Sequence, residues 1–105
     1  MAKIIWAEPA LQDLNEVAEY IALDKADAAK KLVQKVFKTV ERLKRFPESG
    51  RRPPEFKRTQ YREILVGPCR IFYRLQGTNI LIMYVMRGER QLRNYILDEQ
   101  SEKES

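Results

Sequence analysis

Two arginines stand at alternate positions in a short segment, "VGPCRIFYRL" (residues 66–75), that is otherwise rich in strand-forming residues. Because successive side chains of a strand point to opposite faces, Arg70, Phe72 and Arg74 share one face of the predicted strand. Guanidinium groups hold phosphates, and aromatic rings stack on unpaired bases. This combination indicates a nucleic-acid-binding surface, provided that the face is open.

The turn before this strand decides which side chains lie beside the arginines. A two-residue loop at Gly67 and Pro68 pairs Val66 with Cys69 and places Glu63 opposite Phe72, whereas a one-residue slip would exchange the two faces. Two interpretations stay open: an open cationic face, or a half-solvated sheet in which Glu63 neutralises the arginines. The predicted register assigns Tyr61, Glu63, Leu65, Arg70, Phe72 and Arg74 to this face, and Ile64, Val66, Cys69, Ile71, Tyr73 and Leu75 to the opposite face, against the helices.

The chain has no histidine and a single cysteine among its 105 residues. Histidine-containing zinc sites, catalytic triads and facial triads are therefore excluded, and no internal disulfide can form. We expect neither a metal nor a cofactor. Cys69 is interpreted as a buried structural thiol rather than a reactive one.

The 20 basic and 15 acidic residues give a formal net charge of +5, and the charges are unevenly distributed. Residues 98–105 form an acidic segment that is expected to fray, so the domain predicted for residues 1–97 is more basic than the average. A basic domain indicates nucleic acid or an acidic protein partner, and composition does not separate the two. Because no apolar run is long enough for a membrane span or a signal peptide, we predict a cytoplasmic protein without membrane contact.

Hydrophobic periodicity predicts a helical hairpin behind a short strand. Residues 3–7 form the strand, and a helix with Pro9 in its first turn runs to about Leu23. A second helix is predicted to begin after the cap Asp27 and to end near Arg45. Since the connection between them is short, the two helices must lie antiparallel.

After the second helix, the turn-rich connector "FPESGRRPPEF" leads to three strand-like runs, at residues 61–66, 69–75 and 80–86. They predict a three-stranded antiparallel meander, which completes a four-stranded, mainly antiparallel sheet with the N-terminal strand. The last run is apolar throughout, which is typical of a central strand. A short closing helix is predicted near residues 92–96. The fold class is therefore α+β.

The order of the motifs resembles a known family more than any single motif does. The chain reads "IIWAEPALQDLNEVAEYIALD", then Ala28-Ala29 at the second helix, then "LKRFPESGRRPPE", then "REILVGPCRIFYRL" and an apolar strand. In this order the motifs resemble the RelE/ParE superfamily of small bacterial toxins from toxin–antitoxin pairs, in its ParE-like or plasmid-stabilisation branch. The positions that carry the resemblance are Trp6, Ala10, Asp13-Leu14, Tyr20-Ile21, Phe46-Pro47, Gly50-Arg51, Pro54-Glu55, Arg70-Ile71 and Tyr73-Arg74.

The resemblance implies the same hairpin-on-sheet fold that periodicity predicts, and it divides the expected function in two. ParE-like members poison DNA gyrase, whereas RelE-like members cleave mRNA on the ribosome without a metal. The ParE-like branch implies a toxin, not an enzyme, that inhibits DNA gyrase and thereby replication. Such a toxin is neutralised by a cognate antitoxin and binds no specific DNA sequence by itself.

The alternative function is that of a ribosome-dependent mRNA interferase. Metal-free RNA cleavage needs a base for the 2′-OH, cations for the developing phosphate charge and an acid for the leaving oxygen. Two positions that carry lysine in RelE are Tyr61 and Glu63 here, and Tyr95 lies one position beyond the RelE-type tyrosine. Glu63 would oppose the phosphate charge or act as the base, so gyrase inhibition is favoured without excluding cleavage. The catalytic residues of the alternative would be Glu63, Arg70, Arg74, Arg90 and Tyr95.

The resemblance also implies two protein-binding surfaces. The antitoxin is expected to contribute a segment that folds on binding, wraps the hairpin and covers the sheet. Its predicted contacts are Leu14, Val17, Ile21, Val33, Phe37, Arg70, Phe72 and Arg74. The predicted contacts with gyrase are Arg51, Arg52, Arg58, Arg87, Arg90 and Arg93.

Overall fold

The structure, a computed structural model, describes residues 2–56 and 58–88. The predicted closing helix near residues 92–96 lies outside the described residues, and so do Arg90, Arg93 and Tyr95. Within them the elements are, in chain order, β1 (Ile4–Trp6), α1 (Glu8–Ala22), α2 (Ala26–Glu41), a 3₁₀ turn (Arg42–Lys44), β2 (Arg62–Val66), β3 (Cys69–Gln76) and β4 (Asn79–Arg87).

The two helices start differently from one another. Helix α1 has Pro9 and the acidic Glu8 in its first turn, as predicted, because proline lacks the N–H that would be unpaired there. Helix α2 begins at Ala26, so the prediction that Asp27 is its cap is wrong. Ala26 is a strong helix former and starts the helix earlier, which leaves Asp27 in the first turn near the positive end of the dipole.

The four strands form one sheet in the order β1-β4-β3-β2. Strand β1 is parallel to β4, and the other neighbours are antiparallel. The predicted α+β fold, with its mainly antiparallel sheet and a central last strand, is therefore confirmed. The register of β2 and β3 is also the predicted one, with Val66 opposite Cys69 and Glu63 opposite Phe72.

The sheet separates two clusters of buried side chains. The cluster on the helix side contains Ala10 and Leu14 of α1, Val36 of α2, and Ile71 and Tyr73 of β3 among others. The second cluster lies on the outer face, away from the helices, and consists of Tyr61, Phe72 and Met86 with Phe56, Met83 and Tyr84 packed around them.

The connector between α2 and β2 covers part of the outer face. Its Pro53 is buried, and its Phe56 packs against the cluster that contains Phe72. Phe72 is fully buried, and Arg70 is nearly so. The interpretation of this face as open is therefore wrong at these two residues, although both do point away from the helices as predicted.

An aspartate of α1 binds the backbone of the central strand where β1 ends. Strand β1 reaches only as far as Trp6, which pairs with Ile82. Beyond this point the N–H of Val85 donates to Oδ2 of Asp13, at 3.1 Å. Burial raises the pKa of the Asp13 carboxyl, and the bond from Val85 opposes part of that effect. Asp13 thus takes the place of a neighbouring strand at this position.

We expect Asp13→Ala to lower the free energy of unfolding by about 1–3 kcal/mol, because the Val85 N–H loses its acceptor. Asp13→Asn should be close to the wild type at neutral pH, since the amide oxygen can still accept this bond. The pKa of Asp13 in the folded state is raised above its ordinary value of 3.8. Its contribution to stability is therefore fully present below pH 3.8 and is lost as the pH rises through the folded pKa. Urea denaturation across this pH range checks both effects; equal losses for the two variants would contradict the role of the bond.

Candidate functional site

Strands β2 and β3 and the connector bring four charged side chains together on the outer face of the sheet. Glu63 lies diagonally across from Arg70, because the register pairs Glu63 with Phe72. Arg51 of the connector forms an isolated antiparallel bridge with Glu63, and Glu55 follows Arg51 by one short turn of chain. We call Arg51, Glu55, Glu63 and Arg70 the ion cluster.

The guanidinium of Arg70 is at the centre of the ion cluster. Its Nη1 and Nη2 donate to the two carboxylate oxygens of Glu55, at 2.8 and 2.9 Å, in a bidentate pair. Its Nε donates to Oε2 of Glu63 at 2.9 Å, and Nη2 lies 2.6 Å from the same oxygen. Oε1 of Glu63 accepts from Nε of Arg51 at 2.8 Å. Both oxygens of Glu63 are therefore occupied.

The ion cluster contains two arginines and two glutamates, so its charges balance, and its four side chains differ in how deeply they are buried. Side-chain exposure is 0% for Glu63, 5% for Arg70, 27% for Glu55 and 56% for Arg51. Hydrogen bonding from Arg70 lowers the pKa of the Glu55 carboxyl. The bond to Glu55 in turn raises the pKa of Arg70, although burial acts in the opposite direction. The interpretation in which Glu63 neutralises the arginines is thus confirmed for Arg70.

This geometry bears on the RNA-cleavage alternative. A general base must reach the 2′-OH, and a catalytic cation must reach the phosphate. Glu63 is fully buried with both oxygens bonded, and Arg70 directs its donors at two carboxylates. In this arrangement neither side chain presents a free group to a phosphodiester. Of the other residues of that set, Arg74 is described, whereas Arg90 and Tyr95 lie outside the described residues.

Arg74 lies on the same face as Arg70 but has different neighbours. Arg74 pairs with Leu81 of β4, and Leu81 pairs in turn with Ile5 of β1. Arg74 therefore lies next to the part of the sheet that includes β1, beyond the part of the outer face that contains Phe72. The side chain is half-buried, and its Nε is buried without a hydrogen-bond partner among the described residues. The structure therefore separates Arg74 from the ion cluster.

The sequence did not indicate that Glu55 and Arg51 would meet Arg70. Their pairing depends on how a connector of about fifteen residues crosses the sheet, and no periodic pattern encodes such a path. The one available signal is Pro53-Pro54, which forces an extended segment immediately before Glu55. Arg51 itself was predicted to contact gyrase.

The predicted antitoxin contacts on the hairpin differ in accessibility. Leu14 belongs to the core, and Val17, Ile21 and Val33 are half-buried against it. Phe37 is exposed and packs against Trp6, with ring centroids 4.9 Å apart. Together with the burial of Arg70 and Phe72, this leaves Val17, Ile21, Val33, Phe37 and Arg74 as the predicted contacts with accessible surface.

A groove of about 360 Å³ is lined by residues of both helices. Its floor is formed mainly by alanines and Val33, and charged side chains of opposite sign stand at its margin, Glu19 on α1 and Lys30 on α2. Small apolar residues between two helices leave space for a third apolar element. The full lining is Ala18, Glu19, Ala22, Ala29, Lys30, Val33 and Gln34.

The described members of the predicted gyrase-binding set lie on two separate elements. Arg51 pairs with Glu63, and Arg52 donates through Nη1 to the carbonyl of Thr59 within the same connector. Arg58 is also in the connector and is exposed. Arg87 ends β4 and stacks on Tyr20 of α1, 4.1 Å from the ring centroid. Arg90 and Arg93 are outside the described residues.

Cys69 is buried at the start of β3. Burial raises the pKa of its thiol, and the charge of Arg87 counteracts this only in part. A protonated, inaccessible thiol is a poor nucleophile. The structure thus supports the interpretation of Cys69 as a structural residue.

Two kinds of site were not found among the described residues. Among residues 2–56 and 58–88, no three cysteine, aspartate or glutamate side chains converge in a way that could hold a metal ion. Within the same ranges, neither helix combines the length and apolar character that crossing a bilayer requires.

Comparison with known proteins identifies the family. Residues 4–92 match the model of the "ParE toxin of type II toxin-antitoxin system, parDE". The chain is 34% identical over 89 residues to "Putative toxin Y4kP" of Sinorhizobium fredii, covering 85% of this chain and 91% of that protein. A solved structure from P. aeruginosa, described as a chromosomal ParDE TA system, has a TM-score of 0.70 at 25% identity and covers 85% of this chain and 98% of its own.

The match to the family model extends from β1 through β4, and the structural likeness covers nearly the whole of the solved toxin-system chain. The fold, the order of the motifs and all three comparisons agree. The chain belongs to the ParE family of toxins from type II toxin–antitoxin systems.

Proposed function

We propose that this toxin inhibits DNA gyrase, and thereby replication, and that a cognate antitoxin neutralises it. Membership of the ParE family is the observation that carries this proposal. The toxin acts in the cytoplasm, by binding rather than by catalysis, and requires neither a cofactor nor direct recognition of a DNA sequence. Stabilisation of a plasmid is a further role that the same activity would support.

The ion cluster supports binding over RNA cleavage. An mRNA interferase would need Glu63 and Arg70 at the scissile phosphate, whereas both are buried and hydrogen-bonded to each other and to the connector. Freeing them would break several charge-assisted bonds, each roughly twice as strong as a neutral hydrogen bond. Glu63 and Arg70, which would be catalytic residues in a nuclease of this type, thus stabilise the fold here.

The hairpin supports binding of the antitoxin. An apolar helix or extended segment fits the groove floored by Val33 and the alanines, and it can continue over Phe37. Exposed lysines of α2 surround this surface, so an acidic antitoxin would associate faster than a neutral one. The expected partner is therefore a segment with an apolar face and acidic flanks that folds as it binds.

Two assays on purified toxin separate the proposed activity from the alternative. Gyrase supercoiling with plasmid DNA should show inhibition, and cleaved DNA should accumulate. Toeprinting on translating ribosomes should show no new cuts in the mRNA. Unaffected gyrase at a large excess of soluble toxin, or ribosome-dependent cuts, would reject the proposal. Growth that continues when the toxin is expressed without antitoxin would indicate a binding module without toxicity.

Arg58→Glu is expected to weaken inhibition of gyrase by up to roughly fivefold, the effect of losing one surface ion pair of about 1 kcal/mol. Arg58 is exposed on the connector, so the substitution should not change stability. Lys3→Glu makes the same change of charge at an exposed position of the N-terminal strand region and serves as the control. Equal inhibition by the two variants in the supercoiling assay would remove Arg58 from the gyrase contact.

A further inference from the structure

Within residues 2–56 and 58–88, the free edge of β2 is only partly covered. The N–H and C=O of Glu63 point outward from the sheet and exchange hydrogen bonds of 2.8 and 3.0 Å with the C=O and N–H of Arg51. Among the described residues this bridge is the only pairing on that edge, because the chain turns away at Ser49, whose N–H donates to the carbonyl of Phe46. The connector thus pairs with one residue of the edge and then leaves it.

Leu65 is the next outward-facing residue along this edge. In a regular antiparallel ladder, every second residue directs both its backbone groups to the same side, so Leu65 points outward as Glu63 does. No hydrogen bond reaches its N–H or C=O from the part of the chain that the structure describes. Leu65, an apolar residue, is also 56% exposed. An unpaired edge of this kind is a template for another strand.

A groove of about 370 Å³ follows the edge at this point. Arg42, next to α2, lines one side of this groove, and Arg51 of the connector lines the other. Thr39 of α2 also lines the groove, and Lys35 lies one turn before it on the same face of the helix. Two of the acids nearby are already paired, since Glu63 bonds Arg51 and Arg70, and Glu41 bonds Lys44 at 2.6 Å. The complete lining is Thr39, Arg42, Leu43, Ser49, Arg51, Glu63, Ile64 and Leu65.

We propose that the β2 edge at Leu65 binds an extended, acidic segment of the antitoxin as a fifth strand of the sheet. The segment continues the pairing that Arg51 begins, and its backbone bonds the N–H and C=O of Leu65. Its residue opposite Leu65 points to the outer face and is apolar. Its neighbours on either side point toward Arg42 and are acidic.

Charge decides between this occupant and a second copy of the toxin. Pairing of two β2 edges would bring Arg42 and Lys35 of one copy against the same residues of the other, whereas the charge of Arg51 is in part neutralised by Glu63. These like charges would oppose association of two toxin copies, whereas the same basic residues would attract an acidic strand. The inference rests on the antitoxin part of the proposed function and is independent of gyrase.

Hydrogen–deuterium exchange, followed by NMR on the toxin alone and on the co-purified toxin–antitoxin complex, tests the proposal at one amide. The Leu65 N–H should exchange rapidly in the free toxin and at least roughly 100-fold more slowly in the complex. The Ile64 N–H, which points into the ladder toward β3, is the internal control and should be protected in both.

A pair of variants provides the second readout. Leu65→Pro removes the outward N–H and leaves the ladder bonds to β3 in place, because proline is accepted on an edge strand where its nitrogen faces outward. Its affinity for the antitoxin should fall roughly tenfold, the effect of about one hydrogen bond. Leu65→Val keeps both the amide and an apolar strand-forming side chain and should bind as the wild type does.

Each outcome of these two experiments tests a different part of the proposal. Should the complex form without added protection of the Leu65 amide, the edge site is wrong and the proposed antitoxin partner stands. Should no complex form, both fail. Protection of Leu65 in the free toxin that grows with its concentration would assign the edge to a second copy, and protection by gyrase alone would assign it to the target. Because exchange uses the wild-type chain, the test holds even if Leu65→Pro does not fold.

Discussion

Replacing Arg70 with methionine is expected to lower the free energy of unfolding by about 3–5 kcal/mol at neutral pH. Methionine retains a long apolar side chain but removes all the hydrogen-bond donors of the guanidinium. The buried Glu63 would then keep only its bond from Arg51, and Glu55 would lose both of its bonds. A buried carboxylate with too few partners is strongly destabilising, which equilibrium urea denaturation measures directly.

Arg74→Met is the matched control for this prediction. Arg74 belongs to the same strand and the same face, and its side chain is half-buried, but it bonds none of the carboxylates of the ion cluster. Its replacement should change stability by less than about 1 kcal/mol. If the two methionine variants lost similar amounts, packing of the arginine stem rather than the ion cluster would explain the loss.

The pH dependence of stability gives an independent signature. The pKa of Glu55 is lowered chiefly by its bond from Arg70, so its contribution is present above the unfolded value of 4.5 and is lost as the pH falls through the folded value. The wild type should therefore lose stability on acidification below about pH 4.5 more steeply than Arg70→Met. The contribution of Asp13 has the opposite sign and is common to both proteins, so it cancels in the difference.

The parts of the fold that the sequence predicted are those fixed by local rules. Gly67 takes a positive φ of 55° in the loop, and this two-residue turn sets the register of β2 against β3 residue by residue. Alternation then assigns Ile71 and Tyr73 to the helix side and Arg70 to the outer side. The apolar run of β4 identified the central strand because such a run must be covered on both faces.

The parts that it could not predict depend on contacts between distant segments. The exposure of Arg70 depends on where the connector lies, because Glu55 is fifteen positions away and reaches Arg70 only through the path of that connector. In the same way, Asp13 binds Val85 across 72 positions, at a point defined by where β1 ends. Such pairings follow from the assembled sheet and leave no periodic trace in the chain.

Burial of the ion cluster also changes which cations are available to partners. Arg70, and in part Arg51, are neutralised within the toxin, so they add little to the field that an approaching protein meets. The exposed basic residues of α2 and the connector remain. The acidic antitoxin proposed above would therefore be attracted toward the second helix and the adjoining β2 edge, rather than toward the centre of the sheet's outer face.

Gly50→Ala is expected to destabilise the toxin by about 3 kcal/mol, through overpacking and through two displaced hydrogen bonds. A Cβ at this position would lie 2.5 Å from the hydroxyl of Tyr73, 2.6 Å from its Cε1 and 2.9 Å from the carbonyl of Glu63. Real Cβ atoms do not approach this closely, and neither the buried ring nor the strand backbone can retreat. The Tyr73 hydroxyl accepts from the N–H of Gly50 and donates to the carbonyl of Pro47, each at 2.8 Å, so moving it disturbs the start of the connector.

Gly77→Ala separates this steric effect from the backbone effect of losing a glycine. A Cβ at Gly77 would meet nothing within 4 Å, but its φ of 60° is a conformation that alanine adopts only at a cost of roughly 1–2 kcal/mol. Thermal or urea unfolding should therefore place Gly50→Ala clearly below Gly77→Ala. Tyr73→Phe tests the hydrogen-bond part alone and should cost about 1–3 kcal/mol, since the Gly50 N–H and the Pro47 carbonyl both lose their partner. A Gly50→Ala variant as stable as Gly77→Ala would mean that the connector can move away from Tyr73, which would also undermine the rigid placement of Arg51 and Glu55 on which the ion cluster depends.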